Sequence, residues 1–121
     1  VEKIDYLVEQ LPEVHFYIVA HTFMSDELKR LSKYQNVTLY PNSFPILVEK
    51  ILKNSDIYLD LNLDQKLMYI YDLVKKFEKP ILTFDNTRCL TIPEEDYFGI
   101  CHHDRPDEMV EMIKSFMEGE S

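Results

Sequence analysis

The chain has 121 residues, 45% hydrophobic and 29% charged, with 22 acidic against 13 basic side chains and a formal net charge of −9. That length fits one domain with a core of its own. The negative field works against nucleic acid and anionic membranes, both of which call for clustered Lys and Arg.

No apolar run approaches the roughly 20 residues of a membrane span. Two cysteines, Cys89 and Cys101, make no disulfide scaffold, so a reducing cytoplasm is the expected compartment. Gly99 and Gly119 are the only glycines. Dinucleotide loops and P-loops need glycines at strand-to-helix turns, and neither glycine is so placed, which excludes both motifs. No signal peptide is visible, and Val1 opens inside an apparent helix, a start that suggests a segment of a longer protein.

Residues 1–11 carry Ile4, Leu7, Val8 and Leu11 at helical spacing, and Pro12 ends the pattern. His15 to Ala20 is continuously apolar after the histidine, as in a strand covered on both faces. Ser25 is a good N-cap for a helix running to about Tyr34, with Asp26 and Glu27 in the first turn. Asn36 to Tyr40 reads as the second strand, stopped by Pro41, and Asn42 or Ser43 is expected to cap the next helix. Asp56 to Leu61 is the third strand. A helix over Asp64 to Phe77 follows, with Leu67, Ile70, Tyr71, Val74 and Phe77 on one stripe. Pro80 to Phe84 and Tyr97 to Cys101 are the remaining strands. Asp104 is expected to cap a last helix whose stripe is Met109, Met112, Ile113, Phe116 and Met117.

This alternation predicts an α/β fold: a doubly wound, Rossmann-like parallel sheet in three α/β/α layers, in the common strand order 3-2-1-4-5. Ligands of such sheets bind outside the carboxyl ends of the strands. The order places the first and fourth strands side by side, so the expected crevice is a meeting of His21 and Thr22 with Asp85, Asn86 and Thr87.

Several groups have two readings. Asp85-Asn86-Thr87 could recognise hydroxyls and phosphate, or simply make a turn, since Asp and Asn bond their own backbone readily. Arg88 is either the cation near a bound pyrophosphate or a solvated loop arginine. Asn62, Leu63 and Asp64 stand at a helix start whose free N–H groups suit an anion, yet Asp64 could cap the helix itself and would repel phosphate. Asp64 and Asp72, two turns apart, read better as a surface pair than as a site. Cys101-His102-His103-Asp104 resembles a metal-binding tract in composition but lacks a second pair that closes a tetrahedral site, so no metal is expected. Either histidine could serve as acid or base, though no sequence neighbour orients it.

The phrases Leu11-Pro-Glu-Val-His-Phe16, Asn36-Val-Thr-Leu-Tyr-Pro-Asn42, Ser55-Asp-Ile-Tyr-Leu-Asp-Leu-Asn62 and Lys79-Pro-Ile-Leu-Thr-Phe-Asp-Asn-Thr87 together resemble one family. It is the C-terminal half of GT-B glycosyltransferases, in particular the bacterial group that glycosylates serine-rich surface adhesins in the accessory secretion system. The resemblance runs to the final Pro106-Asp-Glu-Met-Val helix. It implies that residues 1–121 form a single nucleotide-sugar-binding domain, with an N-terminal GT-B domain upstream carrying the acceptor site. It further implies that Tyr40, Pro41, Asn42 and Ser43 hold the nucleotide. The diphosphate and sugar would then lie near Asn62, Asp64 and Asp85 to Thr87, with a UDP-sugar as donor and no cofactor or metal.

Retaining members commonly carry a glycine-rich turn and a Glu-x7-Glu pair around this helix. Residues 62–72 have neither, and Asp64 and Asp72 keep only the spacing. Two functions follow from the resemblance. One is the donor half of a transferase that moves a hexose or N-acetylhexosamine onto a protein or glycan. The other is a catalytically degenerate subunit that binds acceptor polypeptide, such as an adhesin, and partners an active glycosyltransferase.

Overall fold

Helices and strands alternate along the described residues, 3–20, 24–61 and 68–119 of a computed structural model. The helices are α1 (Ile4–Gln10), α2 (Asp26–Lys29), α3 (Pro45–Lys53), α4 (Met68–Lys76) and α5 (Pro106–Met117). The strands are β1 (Phe16–Val19), β2 (Val37–Tyr40), β3 (Tyr58–Asp60), β4 (Ile81–Phe84) and β5 (Gly99–Cys101). A 3-10 turn over Arg30–Lys33 extends α2, and another, Glu94–Asp96, precedes β5.

Helix starts follow local chemistry. Ser25 caps α2 as expected, its Oγ accepting from the Leu28 N–H at 3.3 Å. The two other expected caps are corrected. α3 starts at Pro45 behind Phe44, and α5 starts at Pro106 behind Arg105. In each case proline supplies the preset φ and lacks the N–H that a side-chain cap would satisfy. Asn42 instead takes a left-handed φ of 53° in the turn after β2. Ser43, buried, donates its hydroxyl to the Tyr40 carbonyl at 2.9 Å.

All strand pairs are parallel. β1 pairs with β2 with Phe16 opposite Val37 and Val19 opposite Tyr40. β4 lies between β3 and β5, with Leu59 opposite Leu82 and Thr83 opposite Ile100. The expected order 3-2-1-4-5 is therefore corrected: both edges of β4 are taken by β3 and β5, so β1 is not its neighbour. Among the described residues no ladder joins the two sheets. Alternation fixes which strands and helices exist. It does not fix which strand is laid beside which, because several crossovers satisfy the same alternation.

The pleat of β4 divides the core. Leu82 and Phe84 face a cluster with Leu7 and Val8 of α1 and Met109 and Ile113 of α5. Ile81 faces a second cluster with Leu52 of α3 and Tyr71 and Val74 of α4. All four β4 side chains are buried, so the strand needs apolar or fully bonded residues throughout. β1 differs from the expectation of cover on both faces. Phe16 is buried, but Tyr17 is 48% exposed and lies beside His15 and Tyr40 on an open aromatic face. The stripe of α5 is likewise trimmed, with Met117 exposed and Val110 buried. No helix among the described residues is long and apolar enough to cross a membrane.

Candidate functional site

The carboxyl ends of β3, β4 and β5 are organised by one buried carboxylate. Asp60, at the end of β3, is 1% exposed. Its Oδ2 accepts from the hydroxyls of Tyr71 at 2.8 Å and Tyr97 at 3.1 Å. Tyr97 Oη in turn accepts from the Cys89 N–H at 2.7 Å. A carboxylate taken out of water needs such donors, and the two phenols supply them here. Burial, with the Asp60 charge nearby, pushes the Tyr97 hydroxyl up to about 12 and the Tyr71 hydroxyl higher still. Both phenols thus stay protonated as donors and do not serve as acids or bases near neutral pH.

Thr87 belongs to this buried framework. Its hydroxyl donates to the Asp60 carbonyl at 2.9 Å and accepts from the Phe84 N–H at 3.1 Å, with Thr83 Oγ1 at 3.0 Å. Thr87 is 1% exposed, so its side chain ties the turn after β4 to the end of β3. Arg88 is not solvated, with only 17% of its side chain exposed. It reaches Glu94 at 2.8 Å and the Ile92 carbonyl at 3.1 Å, with its guanidinium 5.9 Å from the Tyr97 ring centre. Arg88 thereby fastens residues 88–97 over the hub.

Asp85 and Asn86 are the exposed part of the predicted turn. Asp85 N–H bonds the Cys101 carbonyl at 2.8 Å, which holds the turn against β5. Its Oδ1 accepts from the His103 backbone N–H at 3.0 Å and lies 2.9 Å from His103 Nδ1, while Oδ2 is 3.7 Å from His102 Nε2. The two imidazoles stack with centres 4.4 Å apart. The hydrogen bond from His103 holds the Asp85 carboxyl below its usual range, and the same bond raises His103. Asp85 is therefore the group that orients the histidines, which their own sequence neighbours did not show. Asp85, His102 and His103 offer ligand atoms within 4.8 Å of one another. Cys101 faces the core, with its thiol pushed up to about 11 by burial, and is no nucleophile.

Tyr40 and Pro41 belong to the other sheet, at the carboxyl end of β2. Tyr40 lines a shallow cleft of about 220 Å³ with Tyr17, Leu47, Lys50 and Ile51, and Pro41 and Asn42 are exposed beyond it. A second cleft, about 260 Å³, lies at the opposite, amino-terminal ends of β1 and β2. His21, Thr22, Asn62 and Asp64 lie outside the described residues, as does the Asp64 half of the Asp64–Asp72 pair.

A family profile described as the GftB/GlyA-F C-terminal domain matches residues 1–121. The chain is similar to "Glycosyltransferase GlyE" of Streptococcus pneumoniae serotype 4, 54% identical over 117 residues that make up 97% of this chain and 29% of that protein. The crystal structure of GlyE superposes with a TM-score of 0.94 at 53% identity, covering 96% of this chain and 30% of that one. The chain is also similar to "UDP-N-acetylglucosamine--peptide N-acetylglucosaminyltransferase stabilizing protein GtfB" of Streptococcus parasanguinis, 34% identical over 93% of this chain and 26% of that protein. A crystal structure of the GtfA/B complex bound to UDP and GlcNAc matches with a TM-score of 0.79 at 29% identity, over 95% of this chain and 26% of that one. The chain thus spans less than a third of each relative.

Proposed function

We propose that this chain, which belongs to the GftB/GlyA-F C-terminal domain family, is the donor-sugar half of a GT-B glycosyltransferase. The similarity to glycosyltransferase GlyE, 54% over nearly the whole chain, carries this reading. The activity is transfer of a hexose or N-acetylhexosamine from a UDP-sugar to a protein or glycan. The acceptor site would lie in an N-terminal domain preceding this one.

The donor would sit over the carboxyl edge, where Asn86 is the exposed amide of the turn and Asp60 with Thr87 keeps that turn rigid. His21, Thr22, Asn62 and Asp64 complete the proposed set, with Tyr40, Pro41 and Asn42 toward the nucleotide. Asp85, a charged carboxylate, would repel phosphate and so acts through the histidines it holds. Rate enhancement would come from positioning and from stabilising the departing diphosphate.

A second reading has a specific observation behind it. GtfB is named a stabilizing protein, and the chain is 34% identical to it. On that reading the domain binds acceptor polypeptide and partners an active transferase subunit. Calorimetry of the full-length protein with UDP and UDP-N-acetylglucosamine separates the two. Donor binding gives saturable heat that Asn86→Ala weakens, whereas no heat at millimolar UDP would leave only the second reading.

A further inference from the structure

We propose that Asp85, His102 and His103 form a binding site for a divalent transition cation of the zinc type, with one coordination position left open. The three ligand atoms come from two neighbouring strand ends: Asp85 follows β4, and the histidines follow β5. At metal–ligand bonds of about 2.0–2.2 Å, tetrahedral ligands lie roughly 3.3–3.6 Å apart. The separations from Asp85 oxygens, 2.9 Å to His103 Nδ1 and 3.7 Å to His102 Nε2, bracket that spacing.

The surroundings suit a bound cation. Asp104 lies behind both rings, with Oδ1 3.6 Å from His103 Nε2 and Oδ2 3.8 Å from His102 Nδ1. When an ion takes His103 Nδ1, that ring keeps its N–H on Nε2, directed at Asp104. His102 now accepts the Asp104 backbone N–H at Nδ1, 3.1 Å away. Binding through its Nε2 moves the ring proton to Nδ1, which gives up the backbone bond and takes the Asp104 carboxylate, 3.8 Å away, as its acceptor. Carboxylates that orient ligand imidazoles in this way also raise their basicity. The Lys3 charge opposes a positive charge at His103. Two imidazoles and one carboxylate select zinc, cobalt or nickel over magnesium, which prefers an all-oxygen shell. The ligand side chains are 41–53% exposed, so the open position faces solvent at the same edge as Asn86.

The inference stands without the donor-site reading, because it concerns metal alone. Full-length protein, treated with EDTA and desalted, is titrated calorimetrically with zinc chloride and separately with magnesium chloride. The site predicts zinc binding that His102→Ala with His103→Ala removes by one equivalent, while magnesium gives no matching heat. Asp104→Asn, which leaves all three ligands in place, should weaken the same equivalent by about 10–100-fold. Unchanged melting temperatures of the zinc-free variants confirm that the loss is local, as exposed residues allow. Zinc stoichiometry equal in the wild type and the double variant overturns the proposal, as does magnesium binding that the double variant abolishes.

Discussion

The two sheets of this domain are finished in opposite ways. The β3–β4–β5 sheet is closed by Asp60, Tyr71, Tyr97 and Thr87, all buried and bonded to one another or to backbone. The β1–β2 sheet packs one face into the core through Phe16 and Ile18 but leaves His15, Tyr17 and Tyr40 on the other, beside the shallow α3 cleft. One region holds polar groups inside to fix a turn. The other holds apolar rings outside, where they are available to other surfaces. Rigidity at the carboxyl edge and the open aromatic surface at the flank are thus built from different residues, and they should fail separately.

The largest separation comes from Asp60→Ala. Two buried phenol hydroxyls lose their acceptor, and a loss of about 3 kcal/mol is expected in urea unfolding. A loss below about 1 kcal/mol would show that Asp60 does not hold this edge together. Thr87→Val keeps the volume and deletes only the hydroxyl, so about 2 kcal/mol is expected from the same measurement. For that reason Thr87 is a poor probe of ligand binding, and Asn86→Ala is the cleaner one. Tyr17→Ala, on the open face, should change stability by no more than about 0.5 kcal/mol. A larger loss in the full-length protein would show that another part of the molecule covers this face.

The smallest effect lies at the surface pair. His103 is raised by its bond to Asp85, so that contribution is present below the ordinary histidine value and is lost as pH rises through the folded one. Asp85 is depressed, so its contribution is present above the ordinary carboxylate value and is lost as pH falls through the folded one. Together they act across a window from about pH 4 to about 6.5. In metal-free buffer, NMR titration should place His103 above about 6.5, and Asp85→Asn should return it to that range. A His103 midpoint indifferent to that substitution would mean that the pair does not persist in solution.

The five strands and most helices were legible because apolar runs and amphipathic stripes are local signals. Pro80 to Phe84 is the plainest case, and it is β4, the buried centre of its sheet. The strand order was not legible, since pairing is decided by crossovers that leave no local mark. The turn after β4 was legible, from Asp85 and Asn86 after a buried strand, but the role of Thr87 was not. Its partner is the Asp60 carbonyl, 27 residues away. One signal was present: an aspartate inside Ile57-Tyr-Leu-Asp-Leu61 is a charge in a strand otherwise apolar, and such a charge demands buried donors. Tyr71, expected on an apolar helix stripe, and Tyr97, expected at a strand start, are those donors. The Asp85–histidine cluster was hidden for a similar reason, because its members become neighbours only once β4 and β5 pair.

Asn36 carries a consequence of another kind. Its side-chain amide donates to the carbonyls of Val8, Leu11 and Val14, at 3.0–3.2 Å, while its own carbonyl accepts from the Phe16 N–H. One residue therefore joins the end of α1, the start of β1 and the entrance to β2. Hydrogen exchange across these three segments should be slow together and released together, as a single cooperative unit. Asn36→Ala would split that unit, so that α1 amides exchange by local fraying while those of β1 keep their protection.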